Sequence, residues 1–347
     1  MVPVVDLSRR GRALAEPFAD AVRRIAASGR VLLGDETTAF EKSFARWLGA
    51  PDAVAVSSGA AALQLALTAI GVGPGDEVVV PAFTAVPTAT AVLAVGAMPV
   101  LADVDPMTAC VDTLGVERAR TSQTRAVVVV HLYGYPAAPL ETDLVVVDDA
   151  AQAHGALRHT QSTVAAYSFY PTKNLGGIGD GGAVVSSDAA VNAAVRQLRV
   201  HGMTEQYRHE RISQNFRMSE IEAAWLSLAL ETLAADNDRR RMIAAHYRSA
   251  APQLRWQRDH PDHVHHLAVF RSDDRGAAQE LLAEFGVATA VHYPLALTQQ
   301  PAFAGMFTTE CPEAEGWARE CVSVPCFSEL TDAEVDHVAI ALSKVPS

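Results

Sequence analysis

Seven short apolar runs lie between Ala53 and Val185, at residues 53–56, 78–80, 99–102, 126–130, 144–147, 165–169 and 183–185. Most are built from Val and Ala and carry no polar alternation. A strand with one wet face alternates apolar and polar residues. A strand without alternation is buried on both faces, so it needs helices above and below its sheet. Helical stretches at residues 60–70 and 88–95 supply such cover, and Phe40, Phe44, Trp47 and Leu48 recur at helical spacing. The pattern predicts an α/β fold: a three-layer α/β/α large domain around a mostly parallel, mixed sheet.

After about Ser187 the chain turns mainly helical. The stretch 219–248 has no Gly or Pro and predicts long helices, with a break near Asp236-Asn237. Beyond Pro252, strands are expected at 266–271 and 287–292, and helices at 276–285 and 332–342. This reads as a smaller C-terminal α+β domain. The expected division is 1–235 for the large domain and 236–347 for a linking helix and the small domain.

Several function classes are disfavoured. With 40 acidic against 28 basic residues the net charge is −12, which repels nucleic acid. Arg239-Arg240-Arg241 therefore reads as a solvated or dimer-facing stripe. The apolar stretch 78–102 contains Pro81, Pro87, Gly96 and Pro99, so it belongs to a globular core and not to a membrane span. Residues 1–10 have no apolar stretch of the signal-peptide kind. Cys110, Cys311, Cys321 and Cys326 form no C-x-x-C pair and read as free thiols. Together these point to the cytoplasm. His260, Asp262, His263, His265 and His266 invite a metal reading. As imidazoles on alternating faces of a segment leading into a strand, they are expected not to converge, so no metal is assigned.

Three constellations carry chemistry. In Ser57-Ser58-Gly59-Ala60-Ala61-Ala62-Leu63 a strand ends in small residues and a helix begins, which exposes backbone N–H groups to an anion. Asp148-Asp149 ends an apolar strand, where a parallel sheet binds ligands. Capping of a following helix is the alternative role for either acid. Lys173 follows the run at 165–169 directly, and five glycines come within residues 176–182. Only Lys42, Lys173 and Lys344 among the basic side chains are lysines. Arginine serves solubility equally well but cannot form an imine, so a lysine in this loop is notable. A phosphate cradle, an acid and an amine are what pyridoxal 5′-phosphate requires.

The chain resembles the DegT/DnrJ/EryC1/StrS family of sugar aminotransferases, which have the aspartate aminotransferase-like (fold-type I) PLP-transferase architecture. The likeness runs from Gly29-Arg30-Val31-Leu32-Leu33-Gly34 through Gly71-Val72-Gly73-Pro74-Gly75-Asp76 to Ser323-Val324-Pro325. Its most specific stretches are Asp149-Ala150-Ala151-Gln152-Ala153-His154-Gly155 and Ser168-Phe169-Tyr170-Pro171-Thr172-Lys173-Asn174-Leu175.

The resemblance implies that Lys173 carries the cofactor as a Schiff base and moves the proton. It implies that Asp149 pairs with the pyridine nitrogen and Gln152 contacts the ring's 3-oxygen. Ser168 and the backbone of Gly59, Ala60 and Ala61 would hold the phosphate. Asn215 would reach the cofactor of a second subunit, making a homodimer with shared active sites. His292 and Tyr293 would line the substrate pocket. The implied reaction moves an amino group from glutamate or glutamine to a keto carbon of a nucleotide-linked sugar, with a dTDP keto-6-deoxyhexose the leading class. An aminocyclitol-type ketone is the alternative substrate, and a non-catalytic cofactor-binding regulator the alternative role.

Departures from the family pattern are Ala60 for a threonine, Ala85 where an aromatic residue often stacks on the ring, and Ala296 and Thr298 for a proline and a histidine. Residues 131–143 give only 13 positions between strands, and residues 157–164 are also brief, which predicts a lost or reduced peripheral helix.

Overall fold

The computed structural model describes residues 1–156 and 164–346. All seven apolar runs are strands: β1 (Ala53–Val56), β2 (Glu77–Pro81), β3 (Met98–Ala102), β4 (Thr124–Val130), β5 (Val145–Asp149), β6 (Val164–Ser168) and β7 (Gly182–Val185). They form one sheet in the order β1-β7-β6-β5-β4-β2-β3. Strand β7 runs antiparallel to both neighbours and the other pairings are parallel, so the sheet is mixed. The carboxyl ends of β1, β2, β4, β5 and β6 therefore meet along one edge.

In β1, β6 and β7 successive side chains enter different cores, as the missing polar alternation required. Val54, Val56, Val164, Ala166 and Val184 pack with Ala62, Leu65 and Val92 on one face. Ala53, Ala55, Ala165, Tyr167, Ala183 and Val185 pack with Phe40, Phe44 and Trp225 on the other. The helices are α1 (Leu7–Ser28), α2 (Asp35–Leu48), α3 (Gly59–Ala69), α4 (Pro87–Ala94), α5 (Thr113–Ala119), α6 (Ala189–Leu198), α7 (Glu220–Leu230) and α8 (Leu233–Ala250). Helices α3 and α4 cover the first face, and α2 and α7 the second.

Between β4 and β5 the chain makes only a 3₁₀ turn, Leu132–Gly134, and residues 135–143 contain no helix. The peripheral helix is lost there, as the short connection implied. The second short stretch, 157–164, falls almost wholly outside the described residues.

The break expected at Asp236-Asn237 lies instead at Glu231 and Thr232. Asp236 sits in the first turn of α8 and accepts a hydrogen bond from Thr232 Oγ1 at 2.8 Å. An acid there complements the helix dipole, so it marks a start and not an interruption. Arg239-Arg240-Arg241 is not one exposed stripe either. Arg239 pairs with Asp332 and Arg241 with Asp238, whereas Arg240 is buried and donates to the Cys326 carbonyl.

A hairpin of β8 (Met203–Glu205) and β9 (Arg208–His209) follows α6. Strands β10 (Arg255–Trp256), β11 (Ala268–Arg271) and β12 (Cys321–Val324) form a separate antiparallel sheet. It shares a core with α8, α9 (Arg275–Glu284) and α11 (Asp332–Leu342), through Ile243, Tyr247, Phe270, Leu282 and Val338. Helix α10 (Pro312–Glu320) packs Trp317 into the large core. The strand expected at 287–292 is reduced to single bridges, Val287 with Val2 and Ala290 with Ser323. The four cysteines are buried free thiols, and burial pushes each up to about 11 or 12. Among the described residues no helix is long and apolar enough to cross a membrane.

Candidate active site

Lys173 lies in the turn after β6, its backbone N–H bonded to Tyr170 O at 2.8 Å. The side chain lines a cavity with Tyr170, His266, His292 and Tyr293. Loss of hydration disfavours the ammonium and pushes its pKa down to about 8, against the pull of Asp149. Burial thus raises the neutral, nucleophilic fraction to roughly a tenth at pH 7, far above that of an ordinary lysine.

Asp149 closes β5, where strand alternation sends Asp148 and Asp149 to opposite faces. Asp148 meets His131, with Oδ1 at 3.2 Å from Nε2. Asp149 faces the lysine side. Burial raises its pKa, while the Ala151 N–H, the Thr88 hydroxyl and the Lys173 charge oppose the rise. Thr88 Oγ1 donates to Asp149 Oδ2 at 3.0 Å, and Thr84 Oγ1 lies 3.0 Å from Thr88 Oγ1. Both threonines are buried. A buried carboxylate held by two donors beside a cationic site is ready to pair with a ring N–H⁺.

The phosphate candidates also converge. Ser58 caps α3, and its Oγ accepts the Ala61 N–H at 3.1 Å. Ala61 is therefore already engaged, and the Gly59 and Ala60 N–H groups of the first turn remain for an anion. A methyl group at Gly59 would come within 2.5 Å of Ser168 Cβ, so only glycine lets the helix start close on this serine. The serine hydroxyl and the free amides form one cradle. Amine, buried acid and anion cradle along one sheet edge fit the three functional ends of pyridoxal phosphate.

Gln152 ties this edge to the substrate-side candidates. Its Oε1 accepts the Tyr133 N–H at 2.7 Å, and its Nε2 donates to Tyr293 OH at 3.2 Å. The Tyr133 hydroxyl donates to the His292 carbonyl, and His292 Nδ1 lies 2.9 Å from Ser323 Oγ. His292 and Tyr293 thus reach the Lys173 cavity. Burial pushes the Tyr293 phenol up to about 12, which keeps it a donor. Ala85 is half-buried in the same β2–α4 turn as Thr84 and Thr88. Asn215 is not brought here: it is exposed, and its Oδ1 accepts from Arg217 Nε at 2.9 Å.

The sequence reading missed Thr84, Thr88, Tyr133 and Glu222. Tyr133 had a usable signal, since it stands just after β4 at the ligand-binding edge. Glu222 had none. It is buried on α7, accepts the Gly179 N–H at 2.9 Å, and fills the space a β-carbon at Gly177 would need. It thereby holds the glycine-rich loop behind Lys173.

Burial raises the Glu222 pKa from 4.5 to about 7. Because the folded value exceeds the unfolded one, this acid favours folding below pH 4.5 and loses that contribution as pH rises through 7. Glu222→Gln keeps the acceptor without the charge. The variant is expected to gain up to ~3 kcal/mol at pH 8 and under ~1 kcal/mol at pH 5. Chemical denaturation at the two pH values checks this, and an equal effect at both would contradict it.

Comparison with known proteins agrees with this geometry. Residues 13–343 match the model of the DegT/DnrJ/EryC1/StrS aminotransferase family. The chain is 40% identical to the erythromycin biosynthesis sensory transduction protein EryC1 of Saccharopolyspora erythraea, covering 98% of each. It is 41% identical to the dTDP-3-amino-3,4,6-trideoxy-alpha-D-glucose transaminase of Streptomyces venezuelae, covering 93% of this chain and 90% of that one. The structure of S. venezuelae DesV superposes with a TM-score of 0.94 at 39% identity, covering 99% and 98% of the two chains. The protein belongs to the DegT/DnrJ/EryC1/StrS family of pyridoxal-phosphate-dependent aminotransferases.

Proposed function

We propose that this enzyme moves an amino group from glutamate or glutamine to a keto carbon of a nucleotide-linked sugar, with a dTDP-linked keto-6-deoxyhexose as acceptor. The observation that carries the chemistry is the buried Lys173 amine, its pKa lowered by burial and set beside the buried Asp149 carboxylate. The acceptor class rests on the likeness to the S. venezuelae dTDP-sugar transaminase at 41% identity.

When bound, pyridoxal phosphate supplies an aldehyde that takes up the amino group and a ring that withdraws electrons from the reacting carbon. Lys173 Nζ would hold the cofactor's aldehyde carbon, and the same amine would carry the proton between the reacting carbons. Asp149 holds the proton on the ring nitrogen, and Thr88 keeps that carboxylate ionised and oriented. Gly59 N–H, Ala60 N–H and Ser168 Oγ bind the phosphate. Gln152 orients Tyr293, and His292 with Tyr293 forms the wall against which the sugar is positioned.

Asn215 is exposed and spends its side-chain oxygen on Arg217 and not on its own chain's cradle, which supports a role toward the cofactor of a second copy in a homodimer. The proposed division at 235/236 leaves the cradle, acid and amine on the large unit and brings His292 and Tyr293 from the small one.

The test is a panel of dTDP- and UDP-linked 3-keto and 4-keto sugars, plus a keto-cyclitol, with glutamate or glutamine as donor, read by mass spectrometry. Amination of a dTDP-keto-6-deoxyhexose is expected at the highest kcat/KM. Preference for the keto-cyclitol would replace the acceptor assignment. Cofactor binding without conversion of any donor would replace the catalytic one.

A further inference from the structure

His263 and His265 converge, contrary to the reading that the histidines of this segment face alternate ways. They flank Val264 in the non-strand segment before β11, where His265 takes a left-handed φ of 42° and the chain bends instead of alternating. Their rings stack with centroids 3.7 Å apart. Asp259 joins them: one ligand-type atom from each of the three residues lies within 4.8 Å of the others. His260, Asp262 and His266 are not in this group.

The protonation pattern follows from the partners. His263 is only 1% exposed, and its Nε2 lies 3.2 Å from the Tyr133 carbonyl oxygen. A carbonyl can only accept, so Nε2 carries the hydrogen and Nδ1 presents a bare lone pair. That Nδ1 is buried and has no hydrogen-bond partner. A buried lone pair without a donor is unfavourable, and a Lewis-acidic cation at the site would relieve it. An imidazole oriented by a backbone carbonyl through its other nitrogen is the usual arrangement of a metal-ligating histidine. His265 is 4% exposed, and Asp259 Oδ1 stands 3.8 Å from its Nε2. Burial keeps both rings neutral, the form that binds metal.

We propose that Asp259, His263 and His265 form a binding site for a divalent transition-metal ion of the zinc class. Two imidazoles and one carboxylate suit that ion, with water completing the tetrahedron. The site is separate from the amine and phosphate cradle. It adjoins the catalytic loop's support, because Val264 O between the two histidines accepts from Asn174 Nδ2 at 2.9 Å, and Asn174 follows Lys173. The metal staples residues 259–266 to that support.

The test is calorimetric titration of the tag-free, chelator-treated holoenzyme with Zn²⁺, repeated with Co²⁺ while following visible d–d absorption. One equivalent per chain is expected, with a rise in Tm on saturation. His263→Gln and His265→Gln are expected to weaken binding by at least ~10–100-fold. Asp259→Asn changes an exposed side chain, so its loss of affinity cannot be laid to misfolding. His209→Gln, in the separate His201–His209 pair, is expected to leave binding unchanged. Absence of saturable binding, or binding of equal strength in Asp259→Asn and both histidine variants, overturns the proposal.

Discussion

Lys173→Ala is expected to lower kcat for amino transfer by at least ~10⁴-fold, because one substitution removes both the covalent anchor and the proton carrier. The two other lysines offer no substitute. Lys42 sits on α2 and Lys344 near the carboxyl terminus. Borohydride reduction of the wild-type holoenzyme should fix the cofactor on the peptide carrying Lys173 and on no other. The variant should yield no fixed cofactor while retaining it through the phosphate cradle. Lys173→Arg should be as inactive as the alanine variant, since a guanidinium stays protonated and forms no imine. A small added amine should restore part of the proton transfer to Lys173→Ala but none to Lys173→Arg, where the side chain still fills the space. Turnover of the alanine variant at the parent rate would end the assignment.

Asp149→Asn is expected to cost about 10²–10³-fold in kcat, the scale of losing one preorganised electrostatic group. The amide keeps the size and can still accept from Thr88, but it no longer carries the charge that holds a proton on the ring nitrogen. KM for the acceptor should change little, because the substrate wall is built by other residues. Thr88→Val makes a graded counterpart. The threonine hydroxyl donates to the ionised carboxylate and lowers its pKa, so removing it raises that pKa further. The acid limb of the kcat/KM profile should therefore move to higher pH in Thr88→Val and vanish in Asp149→Asn. An unmoved limb in Thr88→Val would separate Asp149 from that ionisation. The profile is measured with a saturating cofactor supply, so that weakened cofactor affinity does not enter.

Much of the framework was legible because it depends on short-range periodicity. An apolar run with no polar residue needs cover on both sides, whichever strands lie beside it, and each of the seven runs became a strand within two residues of its expected ends. The lost crossover helix followed from chain length alone. Helix α11 began and ended where its pattern indicated, with Thr331 and Glu334 forming a capping box. The failures were positions where local chemistry admits two outcomes. Asp236 is compatible with a break and with a helix start, and Thr232 decided it. The segment 287–292 has strand character, but its pairing depends on which edge of β12 is offered.

The candidate site divides the same way. Residue types at strand ends brought forward Lys173, the Asp148-Asp149 pair and the Gly59 turn before any coordinates, because a nucleophilic amine, an acid and a bare helix start are intrinsic to the residues. That Asp149 faces the amine while Asp148 meets His131 required the sheet order, since alternation separates the two acids without saying which face holds the lysine. Thr88, Tyr133 and Glu222 join the site from elements 61, 19 and 43 residues from Asp149, Gln152 and Gly179, their hydrogen-bond partners. Such contacts are decided by how helices and strands stack, and no window of sequence holds both members. Composition and periodicity thus determined what this chain can bury and which groups it can spend on chemistry. The tertiary structure decided which of those groups meet, because hydrogen bonds and charge pairing act over a few ångströms between residues the chain keeps far apart.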